Sequence, residues 1–84
     1  MIQGIYTVRD EASQAYMSLQ LNDGDASAIR SFDYAMTENP IMRFKPADFS
    51  LWYLGTYDDQ TGIIEPVPPK KIKQGVKQDG RKRS

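Results

Sequence analysis

The chain has 84 residues, 39% of them apolar, with eleven basic and eleven acidic side chains and a formal charge of zero. It can build one small domain, because a body of this size buries only about 60% of the surface its unfolded chain exposes. With neither cysteine nor histidine present, disulfides, thiolate metal sites, imidazole bases and the usual zinc ligands are excluded.

The zero is a cancellation. Residues 66–84 carry Lys70, Lys71, Lys73, Lys77, Arg81, Lys82 and Arg83 against Asp79 alone, a net +6. Residues 1–65 carry Arg9, Arg30, Arg43 and Lys45 against ten acids, a net −6. Such asymmetry points to a polyanionic partner, either nucleic acid or an acidic protein surface, the chain's own body included. No apolar run approaches the ~20 residues of a membrane span. The opening residues also lack a basic stretch followed by a long apolar one, so the expectation is a cytoplasmic chain without a signal peptide or a membrane partner.

In chain order, residues 2–9 read as a strand, since Ile5, Tyr6, Thr7 and Val8 are all β-formers. Residues 16–21 alternate only partly and fit either a short strand or an ordered loop. Asn22-Asp23-Gly24-Asp25 predicts a turn and a helix start, with Asp25 as the cap. A helix follows over residues 26–37, because Ala28, Ile29, Phe32, Ala35 and Met36 fall on one face. Asn39-Pro40 ends it. Residues 39–50 read as a connection with a turn at 46–49.

Residues 51–57 are the most apolar and aromatic stretch of the chain. With the polar loop 58–62 and a second run at 63–67 they predict a β-hairpin. Pro66, Pro68 and Pro69 are expected to stop that strand, and the remainder has too few apolar residues to repay its own ordering. The expected architecture is α+β: a small, mostly antiparallel sheet, made of the N-terminal strand and a C-terminal hairpin, packed on one main helix. The expected organisation is a compact domain at 1–67 and a disordered basic tail at 68–84. An exposed edge on so short a sheet would favour a homodimer.

No pattern for catalysis stands out, since a Ser, Thr or Lys nucleophile would need an activating partner; the chain is read as a non-enzyme without cofactor. Asp58 and Asp59, with Asp48, could suggest a divalent ion, but adjacent acids in a hairpin loop are ordinarily turn chemistry. The tail cations suit an extended segment following a phosphate backbone. With about four to six of them engaged, affinity would fall with salt with a slope of roughly 3 to 4 on single strands. A solubilising tail and one docked on the acidic body are the competing readings. Strand alternation puts Tyr53 and Tyr57 on one face and Trp52 and Leu54 on the other. The second pair is the more hydrophobic to bury, which leaves Tyr53 and Tyr57 as candidate stacking partners for bases, against the plainer reading that all are core.

Several segments together resemble one family, the small nonstructural proteins of gokushoviruses, chlamydiaphage-like single-stranded DNA microviruses. The shared features are Val8-Arg9-Asp10, Tyr16, Ala28-Ile29-Arg30-Ser31-Phe32, the run from Pro46 through Asp58, and Thr61-Gly62. The resemblance implies a non-capsid phage protein of viral DNA metabolism in the cytoplasm of the infected bacterium. It would bind single-stranded DNA without base-specific readout, in replication or in the switch to genome synthesis and packaging. Arg30 and Arg43 are added as candidate phosphate contacts, Arg30, beside Asp33 and near Glu38, having a surface salt bridge as its plainer role. The alternative is an adaptor whose acidic body binds a phage replication initiator or procapsid.

Overall fold

The computed structural model describes residues 1–77. Five strands, two helices and one 3-10 turn follow in the order β1 (Ile2–Asp10), β2 (Ala15–Tyr16), β3 (Gln20–Asn22), α1 (Asp25–Glu38), α2 (Pro40–Phe44), the 3-10 turn Pro46–Asp48, β4 (Phe49–Asp58) and β5 (Ile64–Gln74). All strand pairs are antiparallel, in the order β2-β1-β4-β5, with β3 also on β1. Because β4 occupies one side of β1 along its whole length, β2 and β3 are two pieces laid along its other side. The expected α+β architecture is what forms: one main helix on an antiparallel sheet that includes the N-terminal strand and the C-terminal hairpin.

α1 forms where the periodicity predicts it. Ala28, Phe32 and Met36, spaced four apart, are all buried, and Ile29 and Ala35 pack beside them. They meet Tyr6, Phe49 and Leu51 from the sheet and Met42 from α2. Each large side chain removed from water here contributes about 1.5–3 kcal/mol. The expected Asp25 cap is not made: the cap position is Gly24, without a side-chain cap. Asp25 instead accepts a 2.6 Å hydrogen bond from the Tyr6 hydroxyl.

The connection after α1 is more regular than its prolines suggest. Asn39 ends α1 through its N–H to the Ala35 carbonyl, and its side-chain oxygen accepts from the N–H groups of Ile41 and Met42. It thereby caps α2, with Pro40 in the first turn, where a missing N–H costs nothing.

The hairpin is present, but β5 does not stop at its prolines. It runs from Ile64 to Gln74, pairing with Ser50–Tyr53 and with Gly55–Tyr57 of β4. The register explains how: Tyr53 faces Lys70 and Gly55 faces Pro66, so Leu54 alone stands against Val67-Pro68-Pro69. The prolines Pro68 and Pro69 thus fall where the ladder is already interrupted, on an edge strand, the setting in which they are tolerated. The basic segment is therefore sheet, not free tail, through Gln74. Gly75 then bonds to the Phe49 carbonyl; a Cβ there would run into the carbonyl oxygens of Pro46 and Phe49. The expected disorder beyond residue 77 lies outside the described residues.

The irregularity at Leu54 also overturns the expected sharing of faces. β1 pairs Tyr6 with Tyr53 but Ile5 with Gly55, leaving Leu54 unpaired on this side too. A bulge adds one residue and reverses the alternation beyond it. Tyr53 accordingly packs toward the helical core, whereas Tyr57 lines a groove with Ile5 on the opposite face. The pair expected to be buried is also reversed: Phe49 and Leu51 are buried, and Trp52 faces the other way, half-buried.

Candidate nucleic-acid interface

β5 is an edge strand that carries Lys70, Lys71 and Lys73 of the cations singled out from the sequence. Antiparallel register puts Lys70 opposite Tyr53, on the helix side, and Lys71 opposite Trp52, on the outer side. Both are exposed, as is Lys77 just beyond the strand, and among the described residues none of the three has a carboxylate within 4.0 Å. Lys73 differs. Its ammonium lies 2.8 and 2.9 Å from the two carboxylate oxygens of Asp33 on α1, so it ties β5 to the helix and is not open to phosphate as it stands. Arg81, Lys82 and Arg83 lie outside the described residues.

The proline run gives this edge a second property. Residues without an N–H cannot donate to a further strand, so Pro66, Pro68 and Pro69, followed by lysines, block sheet extension. Homodimer formation by edge pairing has no usable ladder along that stretch.

Arg30 and Arg43 are exposed on α1 and α2. No hydrogen bond or ion pair among the described residues joins either of them to β5. The salt bridge considered for Arg30 is not made, because Asp33 is taken by Lys73.

The open face of the sheet divides into two parts. At one end Tyr16 meets Trp52 edge-on, with ring centroids 5.8 Å apart and an angle of 88°. The Arg9 guanidinium lies 5.0 Å over Tyr16 and is paired with Glu11 at 3.1 Å. Trp52 donates its indole N–H to Ser50 at 2.7 Å, and Ser50 donates in turn to Glu11. This cluster places Trp52 beside Lys71. Sequence reading missed Arg9 and Tyr16 as its members; the Arg9 and Tyr16 pairing between β1 and β2 is a tertiary fact. At the other end Ile5, Leu19, Leu21, Tyr57 and Ile64 line an open groove of about 310 Å³.

On the helix side the sheet extends past α1 and leaves a cleft of about 360 Å³ between β1, β4, β5 and the start of α1. Tyr53 and Lys70 both line it. Its floor includes Tyr6, whose ring centroid is 5.4 Å from that of Tyr53. Burial, then the hydrogen bond to Asp25, pushes the Tyr6 phenol well above the ordinary tyrosine range.

Of the acids considered for a metal ion, Asp58 and Asp59 are engaged locally. Asp58 accepts from the Gln60 N–H at 2.9 Å and Asp59 pairs with the terminal ammonium at 2.7 Å. Among the described residues no group of three or more potential ligands is placed to hold a metal ion.

The described residues form a small antiparallel sheet with one main helix and a lysine-bearing edge, and comparison supplies the lineage. Residues 3–78 match the family described as the Phage ORF5 protein, and the chain belongs to that family of bacteriophage proteins. The matched span takes in the described strands except Ile2 of β1, together with Lys70, Lys71, Lys73 and Lys77, and excludes Arg81, Lys82 and Arg83. Comparison with curated proteins and with solved structures gives no match. Among the described residues no helix is long and apolar enough to cross a membrane.

Proposed function

We propose that this phage protein is a non-enzymatic, nonstructural binder of single-stranded DNA, of the gokushovirus kind, working in the cytoplasm of the infected bacterium. It acts in viral replication or in the turn toward genome synthesis and packaging. The observation that carries the reading is the lysine edge of β5. Lys70 and Lys71 on the strand and Lys77 three residues beyond its end are exposed and lack carboxylate partners among the described residues. An extended strand advances about 3.3 Å per residue, so its cations can follow a flexible phosphate chain without a shaped groove. Binding of this kind is driven by counterion release and depends weakly on sequence.

The test is a salt titration of binding to a fluorescent single-stranded oligonucleotide. A chain ending at Val67 is not a useful control, because it loses the half of β5 that pairs with Ser50–Tyr53. The informative variant is Lys70→Gln/Lys71→Gln/Lys77→Gln, with a chain ending at Lys77 beside it. Each engaged cation contributes roughly 0.7 to the slope of log affinity against log salt, so the triple variant should lose about 2. An unchanged affinity and slope in both chains would refute DNA binding through this segment.

A further inference from the structure

The cleft beside Lys70 has a lining that a phosphate-following strip does not require. Asp23 presents a carboxylate that has no hydrogen bond or ion pair among the described residues, while its neighbour Asp25 is already occupied by the Tyr6 hydroxyl. Tyr53 supplies an aromatic wall, Gln3 and Thr56 supply polar groups, and Lys70 stands on the β5 side. Gly24 lines the cleft in a fully extended conformation, φ 179°, which any residue can adopt. A Cβ built there meets nothing within 4 Å. Gly24 is also the N-cap of α1, a position that ordinarily favours glycine, so the cleft is left open at this corner.

These features select a ligand by chemistry. Carboxylates repel phosphate, so the anionic part of a strand stays outside, near Lys70. What can enter is a flat, uncharged group that stacks on Tyr53 and offers donors to Asp23. Among the four bases, guanine alone presents two adjacent donors, N1–H and the N2 amino group, to one carboxylate. Thymine and cytosine each place an acceptor beside their one donor on that edge, and adenine does the same. A volume of about 360 Å³ falls at the lower end of small-ligand sites and accommodates one base with part of its sugar.

We propose that the cleft is a subsite for a single unstacked guanine of the bound strand, stacked on Tyr53 and held at its donor edge by Asp23, with Lys70 on the adjoining phosphate. The inference rests on the DNA-binding reading and adds to it a base preference at one position.

Two measurements on the full chain separate the two claims. The first compares an all-thymidine oligonucleotide with the same strand carrying one central guanine. The guanine strand should bind about tenfold tighter, the scale of one good two-donor contact, and Asp23→Asn should bring the ratio of the two affinities to one. The second titrates free deoxyguanosine, an uncharged probe, and follows shifts in the Tyr53 ring resonances. Saturable shifts that disappear in Asp23→Asn support the cleft even if neither oligonucleotide binds, in which case only the DNA reading falls. Equal affinity for the two strands, with no response to deoxyguanosine, overturns the cleft and leaves the lysine edge standing. Silence in both experiments overturns both.

Discussion

β4 has two neighbours of opposite character. On one side β1 pairs with it from Ile2 to Asp10 and buries Ile5, Tyr6 and Thr7 between the helices and the open face. On the other side β5 is exposed over most of its length, interrupted by prolines, and carries Lys70, Lys71 and Lys73. The first neighbour is held by apolar burial and a nearly continuous ladder. The second is held by two short stretches of pairing, the packed side chain of Ile72, one ion pair, and hydrogen bonds from the Gln74 side chain and the Gly75 N–H to the carbonyls of Ala47 and Phe49. A sheet this small therefore concentrates its stability at the centre, and the edge is left to carry charge that the core could not tolerate.

The sharpest way to break this contrast is to strike the central side. Phe32→Ala removes a buried ring from between α1 and the sheet, and should cost about 3–5 kcal/mol in urea unfolding. On a domain of this size that is most of the available stability, so the variant should be largely unfolded near ambient temperature. A loss below about 1 kcal/mol would mean that the core is not where the packing puts it.

Next in size is Gly55→Ala, which tests how β5 is attached. Gly55 has φ 144°, and a Cβ would run into the Glu65 carbonyl oxygen and the Pro66 backbone. Backbone strain and the clash together should cost about 3 kcal/mol. Hydrogen exchange should show the loss first in β5, with β1 protection falling less. Equal loss across both strands would show that edge and centre unfold as one unit.

Tyr6 sharpens the central side through pH. Its phenol ionises at higher pH in the folded chain than in the unfolded one, whose value is about 10. The folded state therefore holds the proton more tightly, and the associated stability is complete below that pH and disappears as pH climbs above it. Tyr6→Phe should lose about 1 kcal/mol at neutral pH, the hydrogen bond to Asp25, and should show a shallower decline in melting temperature under alkali. A decline as steep as in the parent would assign the alkaline sensitivity to another group.

The smallest effect is expected at Asp33→Asn, on the exposed side. Its pair with Lys73 is one-third exposed on each partner, so stability should change by less than about 1 kcal/mol. Freed of its carboxylate, Lys73 should join the other edge lysines, and the salt slope for DNA should rise by about 0.7. A large loss of stability with no change in slope would make Lys73 a structural residue only.

Much of this plan was legible before the fold was known, and the reasons are local. Ala28, Ile29, Phe32, Ala35 and Met36 announce α1 because helical periodicity needs only neighbouring residues. The hairpin is announced by two β-rich runs around Asp58–Gly62, again a short-range signal. Asn39-Pro40 was legible as a stop but not as the start of α2, because one dipeptide can end a helix and cap the next. The candidate site was legible in its cations and not in their arrangement. Lys73 could not be set apart from Lys70 and Lys71 by sequence, since its partner Asp33 is 40 positions away.

What the amino-acid order determines unaided is the charge asymmetry, the helix and the hairpin, all consequences of composition or of spacing within a few residues. Tertiary structure decided which side of the sheet each aromatic faces, because the unpaired Leu54 shifts the alternation between Tyr53 and Tyr57. It also decided that the segment after the prolines becomes an edge strand, because those prolines fall opposite a residue that asks no hydrogen bond of them. Register between strands is a property of pairs of segments, and no single segment contains it.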